Sequence, residues 1–221
     1  MRIINPKITK DLERGEAISL NLGCGQRSVP GFYGLDSLAL PGVDIIADLN
    51  EPLKELPDNS VAEVYSRHTL EHVQNFVSLL GELHRIVQPG GKIRITVPHF
   101  SNPYGYSDPT HVRYFGLYTF FYFADESDQP RRKVPTFYST YRFKIENITI
   151  KLLKASAFSK LIFSGLEWVL NCGFPRLDWY ERHLCWSIPA EAISYTLHVK
   201  KSPALPPKVS DFPLAKSGTL S

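Results

Sequence analysis

Three short stretches of the chain bring together residue types that do chemistry. The first is a glycine turn, Leu20-Asn21-Leu22-Gly23-Cys24-Gly25, with an acid following at Asp36. Glycines at such a turn let the backbone come close to a ligand and adopt dihedrals closed to other residues. An acid at the end of the next strand accepts hydrogen bonds from ribose hydroxyls. A dinucleotide fingerprint requires a third glycine and an acid about 20 residues on. Here the third position is Ser28, and Asp36 lies only 13 residues past Gly23. The pattern fits a nucleoside without a pyrophosphate better than it fits NAD.

The second stretch, His68-Thr-Leu-Glu71-His72, spells HxxEH, the order of an inverted zinc-peptidase motif. That chemistry needs both histidines on one helical face, with the glutamate as base and a further ligand. His68 falls where a strand should end, so helical registration of the pair is not expected. A zinc-dependent hydrolase stays as an alternative function, and no metal site is assigned. The third stretch runs from Pro98-His99-Phe100-Ser101 to Asp108-Pro109-Thr110-His111. An imidazole titrates near neutral pH and serves as a general base, with a carboxylate to orient it. His99 ranks first for that role and His111 second, with Asp108 as the orienting acid. The rival readings are a turn at Asp108-Pro109 whose histidines bond to loop backbone, and a metal site formed by His99, Asp108 and His111.

These residues need a scaffold, and the hydrophobic pattern supplies one. Segments 17–22, 31–36, 43–48, 62–65 and 92–97 read as short strands. Between the last two, Phe76, Leu79, Leu80, Leu83 and Val87 fall on one helical face, with Glu82 and Arg85 pointing away, and Pro89-Gly90-Gly91 closes the helix. Strands alternating with helices imply a mostly parallel sheet covered on both faces. Such sheets bind ligands beyond the carboxyl ends of their strands, where strand order switches. Residues 99–142, rich in Tyr, Phe, Pro, Ser and Asp, break the alternation and read as an inserted lid. Its aromatics Tyr104, Tyr106, Tyr114, Phe115, Tyr118, Phe120 and Phe121 read as lid core rather than as sugar-stacking platforms. Strand character resumes at 141–150 and again at 192–199.

The ordered set resembles the class I S-adenosylmethionine-dependent methyltransferases, in particular the small group with a type 11 domain. Leu20 to Gly25 is similar to the first family motif and Gly34-Leu35-Asp36 to the ribose-binding acid. Asp44-Ile-Ile-Ala-Asp48-Leu49 is similar to the adenine-contacting segment. Segments 62–72 and 83–91 are similar to the fourth strand and to the turn before the fifth. The resemblance implies a Rossmann-like, doubly wound, mostly parallel seven-stranded α/β sheet with the lid after the fifth strand. It implies S-adenosyl-L-methionine as cofactor, held by Asn21, Gly23, Cys24, Gly25, Asp36, Asp48, Leu49 and His68. The chain departs from the family at Asn21, where an acid is usual, and at Arg27, where a glycine is. A non-catalytic cofactor-sensing or scaffolding module of the same fold is therefore a second alternative. The lid resembles those of bacterial methyltransferases of polysaccharide and glycolipid biosynthesis, which implies methylation of an oxygen, less readily a nitrogen, of a small or sugar-linked acceptor.

Composition sets the remaining bounds. The 221 residues are 43% hydrophobic and 21% charged, ordinary for a globular domain. Lys plus Arg number 25 against 22 Asp plus Glu, a net +3 that gives no reason to expect nucleic acid as a partner. Arg131-Arg132-Lys133 is the one tight basic cluster and reads as a solvated loop. Cys24, Cys172 and Cys185 form no CxxC pair, so reduced thiols and a cytoplasmic location are expected. The apolar stretch 155–174 is broken by Lys160 and Glu167 and is read as resting on the core, with peripheral membrane contact open and no spanning helix. Residues 1–200 are expected to form one methyltransferase domain and 201–221 a flexible tail. The sequence carries no signal for oligomeric state.

Overall fold

In the computed structural model, which describes residues 1–154 and 157–201, eight strands form one sheet. They are β1 (Arg2–Ile3), β2 (Ile18–Leu22), β3 (Tyr33–Asp36), β4 (Ile45–Ile46), β5 (Val61–Arg67), β6 (Val87–Pro98), β7 (Arg142–Leu152) and β8 (Ala190–Lys200). Their spatial order is β1-β4-β3-β2-β5-β6-β8-β7. Pairings from β4 through β6 are parallel. Strand β1 pairs antiparallel with β4, and β8 antiparallel with both β6 and β7. The expected seven strands are thus joined by a two-residue eighth, β1, on the outer edge. Most of the tail expected at 201–221 lies outside the described residues.

Burial explains why the inner strands form. In β2, Leu20 and Leu22 are fully buried, as are Leu35 in β3 and Val64 in β5, and strands covered on both faces read as continuous apolar runs. Helix α1 (Pro6–Glu13) begins with a proline and is capped by Asn5, whose side chain accepts from the Lys7 amide. Helix α2 (Phe76–Ile86) buries Phe76, Leu79, Leu80 and Leu83 as its spacing predicts, with Ile86 completing the face in place of Val87, which opens β6. Glu82 does not point away: it accepts from the Leu53 amide at 2.9 Å and pairs with Arg85, clipping the 53–58 loop to the helix. The run Pro89-Gly90-Gly91 lies inside the long strand β6 rather than in a free turn.

The insertion is two different things. From 115 to 123 it is core, with Phe115, Leu117 and Phe120 fully buried and Phe115 and Phe120 edge-on to Phe76 of α2. From 104 to 114 it is surface, with Tyr104, Tyr106 and Tyr114 exposed and the last two stacked at 4.7 Å. Helices α3 (Ala157–Leu170) and α4 (Phe174–His183) follow β7. Helix α3 buries Leu170 but exposes Leu161, Ile162, Trp168 and Val169, so only one of its faces rests on the core as expected. No helix among the described residues is long and apolar enough to cross a membrane.

Candidate active site

Strand β2 lies between β3 and β5, which is where the order of the parallel sheet reverses. A cleft of about 330 Å³ opens there, lined by residues that follow β2, β3, β4 and β5. Gly23 forms its floor with φ +60, a conformation L side chains rarely take. A Cβ on Gly23 would sit 2.2 Å from Oγ1 of Thr69, whose hydroxyl donates to the Leu22 carbonyl. Glycine is therefore obligatory on two independent grounds. Asp36, at the end of β3, accepts from the Gly25 amide at 2.8 Å and from the Leu38 amide. Its carboxylate both ties down the glycine turn and borders the cleft.

Five of the eight expected cofactor residues, Gly23, Asp36, Asp48, Leu49 and His68, line this cleft. The other three shape it from behind. Asn21 is buried and its amide donates to the Arg27 carbonyl, closing the turn that the missing glycine would otherwise relax. The Cys24 thiol is buried and pushed up to about 11, first by burial and then by Asp36, which makes it packing and not a nucleophile. Gly25 supplies the amide to Asp36. Six lining residues were not anticipated: Ser37, Ala47, Asn50, Thr69, His72 and Val73. Thr69 and His72 were within reach, since they belong to the HxxEH stretch.

That stretch does not form one helical face. His68 leaves β5 with φ +53, strained for a residue with a side chain, while Glu71 and His72 sit in a single 3₁₀ turn, Leu70–His72. The histidine pair of an inverted zinc peptidase is absent, and the hydrolase alternative loses its geometry.

The lid candidates separate sharply. His99 is 1% exposed, its Nδ1 accepts from the Ser101 amide at 3.1 Å, and burial drives its pKa down to about 4. Its other nitrogen is sealed in the interior. A base needs a free lone pair within reach of substrate, so the residue ranked first by sequence is a buried structural imidazole. His111 and Asp108 instead meet the cleft wall. His111 Nε2 lies 3.6 Å from Asp108 Oδ2, and its ring is edge-on to His72 at 4.8 Å. Thr110 Oγ1 donates to Asp108 Oδ1 at 2.6 Å and stands 2.8 Å from His72 Nδ1. The Thr110 hydroxyl and amide bonds hold the Asp108 carboxyl below its ordinary value, so it carries charge beside the two rings.

A larger cavity, about 1100 Å³, lies under β7 and α4 and shares no lining residue with the cleft. Arg132, at its wall, stacks on Tyr118 at 4.7 Å, and Lys133 donates to the Glu126 carbonyl. The basic cluster is thus partly engaged in loop structure.

Fold and cleft together give a Rossmann-like sheet with an open cleft at its switch point. Residues 20–95 match the methyltransferase-domain family model. The match spans 76 of the 221 residues and marks a methyltransferase domain over that stretch. The structure of the chain is similar to that of YcgJ from Bacillus subtilis, at 12% identity over 89% of this chain and 99% of that one, with a TM-score of 0.50. BH2331 from Bacillus halodurans C-125 is similar to the same degree, at 12% identity over 88% and 99% with a TM-score of 0.50. An S-adenosylmethionine-dependent methyltransferase from Archaeoglobus fulgidus aligns at 18% identity over 87% and 93%, with a TM-score of 0.48. A comparison with curated proteins finds no match.

Proposed function

We propose that the enzyme methylates an oxygen of a small or sugar-linked acceptor that enters between the cofactor cleft and the 104–114 segment. The observation that carries this reading is the double membership of His72. It lines the cofactor cleft and also contacts the Asp108–His111 cluster. An imidazole of the lid cluster therefore stands directly behind a wall of the cleft. S-adenosylmethionine, when bound, supplies a methyl group already activated as part of a sulfonium. Asp36, Asp48 and Leu49 would hold its nucleoside, and Gly23 lets the backbone approach it. What remains for the chain is orientation, exclusion of water and removal of one proton from the acceptor hydroxyl. Orientation of reactants is worth roughly 7–11 kcal/mol and a positioned base about 10²–10⁴-fold.

His111 is assigned the proton. Its Nδ1 faces the Gly105 carbonyl at 2.9 Å and so carries hydrogen, which leaves Nε2 with a lone pair beside the Asp108 charge. A hydroxyl needs such a group, whereas a neutral amine reaches its nucleophilic state without one, and this favours oxygen over nitrogen. The stacked, exposed Tyr106 and Tyr114 flank the cluster in sequence and offer aromatic faces of the kind that pack on sugar rings. Three unpaired cysteines suit a reducing compartment such as the cytoplasm.

The test is transfer of an isotopically labelled methyl group to a panel of sugar hydroxyls and amines, read by NMR at the carbon formed. Label on oxygen, reduced roughly 10²–10⁴-fold in His111→Ala at unchanged cofactor affinity, is the expected result. Label on nitrogen, or full turnover in His111→Ala, overturns it.

A further inference from the structure

Glu71 is 1% exposed, and neither of its carboxylate oxygens has a hydrogen-bond donor. Burying a carboxylate without donors is costly, and native proteins relieve the cost with a paired charge or a metal ion. His68 Nδ1, 3.4 Å from Glu71 Oε1, is a charge partner only when its ring is protonated. Two further imidazoles converge on the same carboxylate. One donor atom each from Glu71, His72 and His111 lies within 4.8 Å of the others. Three such atoms share a centre no more than about 2.8 Å from each, at most about 0.6–0.8 Å beyond zinc-type ligand distances of about 2.0–2.2 Å.

The surrounding bonds hold both rings in the ligating tautomer. A carbonyl only accepts, so His111 Nδ1 donates to Gly105. Thr110 gives its hydroxyl hydrogen to Asp108, so His72 Nδ1 donates to Thr110. Each ring is then left with Nε2 as its free lone pair, fixed from the far side by the kind of bond that orients metal-binding imidazoles. Asp108 Oδ2 lies 3.6 Å from His111 Nε2, so a carboxylate stands beside the imidazole at the same wall. The Val112 amide donates to the Glu71 carbonyl at 2.9 Å, pinning the lid to the turn that carries the carboxylate.

We infer that Glu71, His72 and His111 bind a divalent first-row transition-metal ion on the wall of the cofactor cleft. Two imidazoles and one carboxylate suit zinc, manganese, iron or cobalt better than magnesium or calcium, and three protein ligands leave positions open. Its role, though not its geometry, rests on the methyl-transfer reading above. His72 faces the cleft, so an acceptor hydroxyl coordinated there is oriented toward the methyl donor and acidified by the ion. With His111 held as a ligand, the proton released from that hydroxyl would pass to the exposed Asp108 carboxylate beside the site and on to solvent.

The test is titration of chelator-treated protein with Co²⁺, followed by visible absorption, on the wild type, Glu71→Gln and His111→Ala. Calorimetric titration of S-adenosylmethionine runs alongside on the same metal-free samples. The wild type is expected to take one Co²⁺ per chain with a tetrahedral or five-coordinate spectrum. Either substitution should weaken that binding at least tenfold. His111→Ala, on a half-buried lid position, keeps the comparison available should Glu71→Gln fold poorly. Cofactor binding without stoichiometric Co²⁺, or Co²⁺ binding equal in all three proteins, overturns the metal site and leaves the methyltransferase reading intact. Stoichiometric Co²⁺ in protein that does not bind cofactor supports the metal site and overturns its role in methyl transfer.

Discussion

Two residues, Gly23 and His99, show how little side-chain chemistry and how much local geometry decide this site. Gly23 has a positive φ, and Thr69 occupies the space where its Cβ would lie. Gly23→Ala is expected to cost roughly 2–4 kcal/mol, from a left-handed alanine plus overpacking, and to abolish cofactor binding. Urea unfolding and calorimetric titration of the same sample check both effects. His99 makes the opposite case. Burial lowers its pKa from 6.5 to about 4, so below 6.5 the unfolded chain binds more protons than the folded one. The stability it contributes is present above 6.5 and is lost as pH falls through 4. His99→Ala should lower stability by about 2–3 kcal/mol at pH 7 through the cavity it leaves. Its stability should vary less than the wild type's between pH 6.5 and 4, and its cofactor affinity should be unchanged. A steep loss of turnover in a folded, cofactor-binding His99→Ala enzyme would restore the catalytic role that sequence order suggested.

At the scale of elements, what was legible depended on how local the signal was. The parallel strands and α2 follow from periodicity, because each buries a face that its own spacing sets out. The lining of the cleft is legible for the same reason: Gly23, Asp36, Asp48 and Leu49 each sit where a strand ends. The cluster of Glu71, His72 and His111 is not, because the bonds that assemble it join positions about 40 residues apart. Glu82 was misjudged because its partner, the Leu53 amide, lies on a distant loop. The insertion was read as a lid throughout, yet its second half is core; no period marks a segment built from 3₁₀ turns. That half is fastened to α4 by Glu181, whose carboxylate accepts from the Leu117 amide at 2.9 Å. Burial raises the Glu181 pKa from 4.5 to about 7, so its stabilising share is full below 4.5 and is lost as pH rises through 7. Glu181→Gln should therefore be more stable than the wild type at pH 8, by roughly 1–2 kcal/mol. The two should converge at pH 4.5, as thermal melts across that range would show.

Across the whole molecule, the reversal of strand order at β2 places four loops around one cleft, and the insertion brings a titratable cluster to its wall. The departures at Asn21 and Arg27 are absorbed locally, since Asn21 closes the turn through the Arg27 carbonyl. The turn therefore keeps its shape without the usual acid and glycine. Asp36 is the residue on which this turn depends, because it organises Gly25 and borders the cleft at once. The decisive measurement is calorimetric titration of metal-free protein with S-adenosylmethionine, on the wild type and on Asp36→Ala. Micromolar binding by the wild type that disappears in Asp36→Ala, with both proteins folded, is the predicted result. No binding by the folded wild type, or equal binding by the two, would contradict the placement of the cofactor in this cleft.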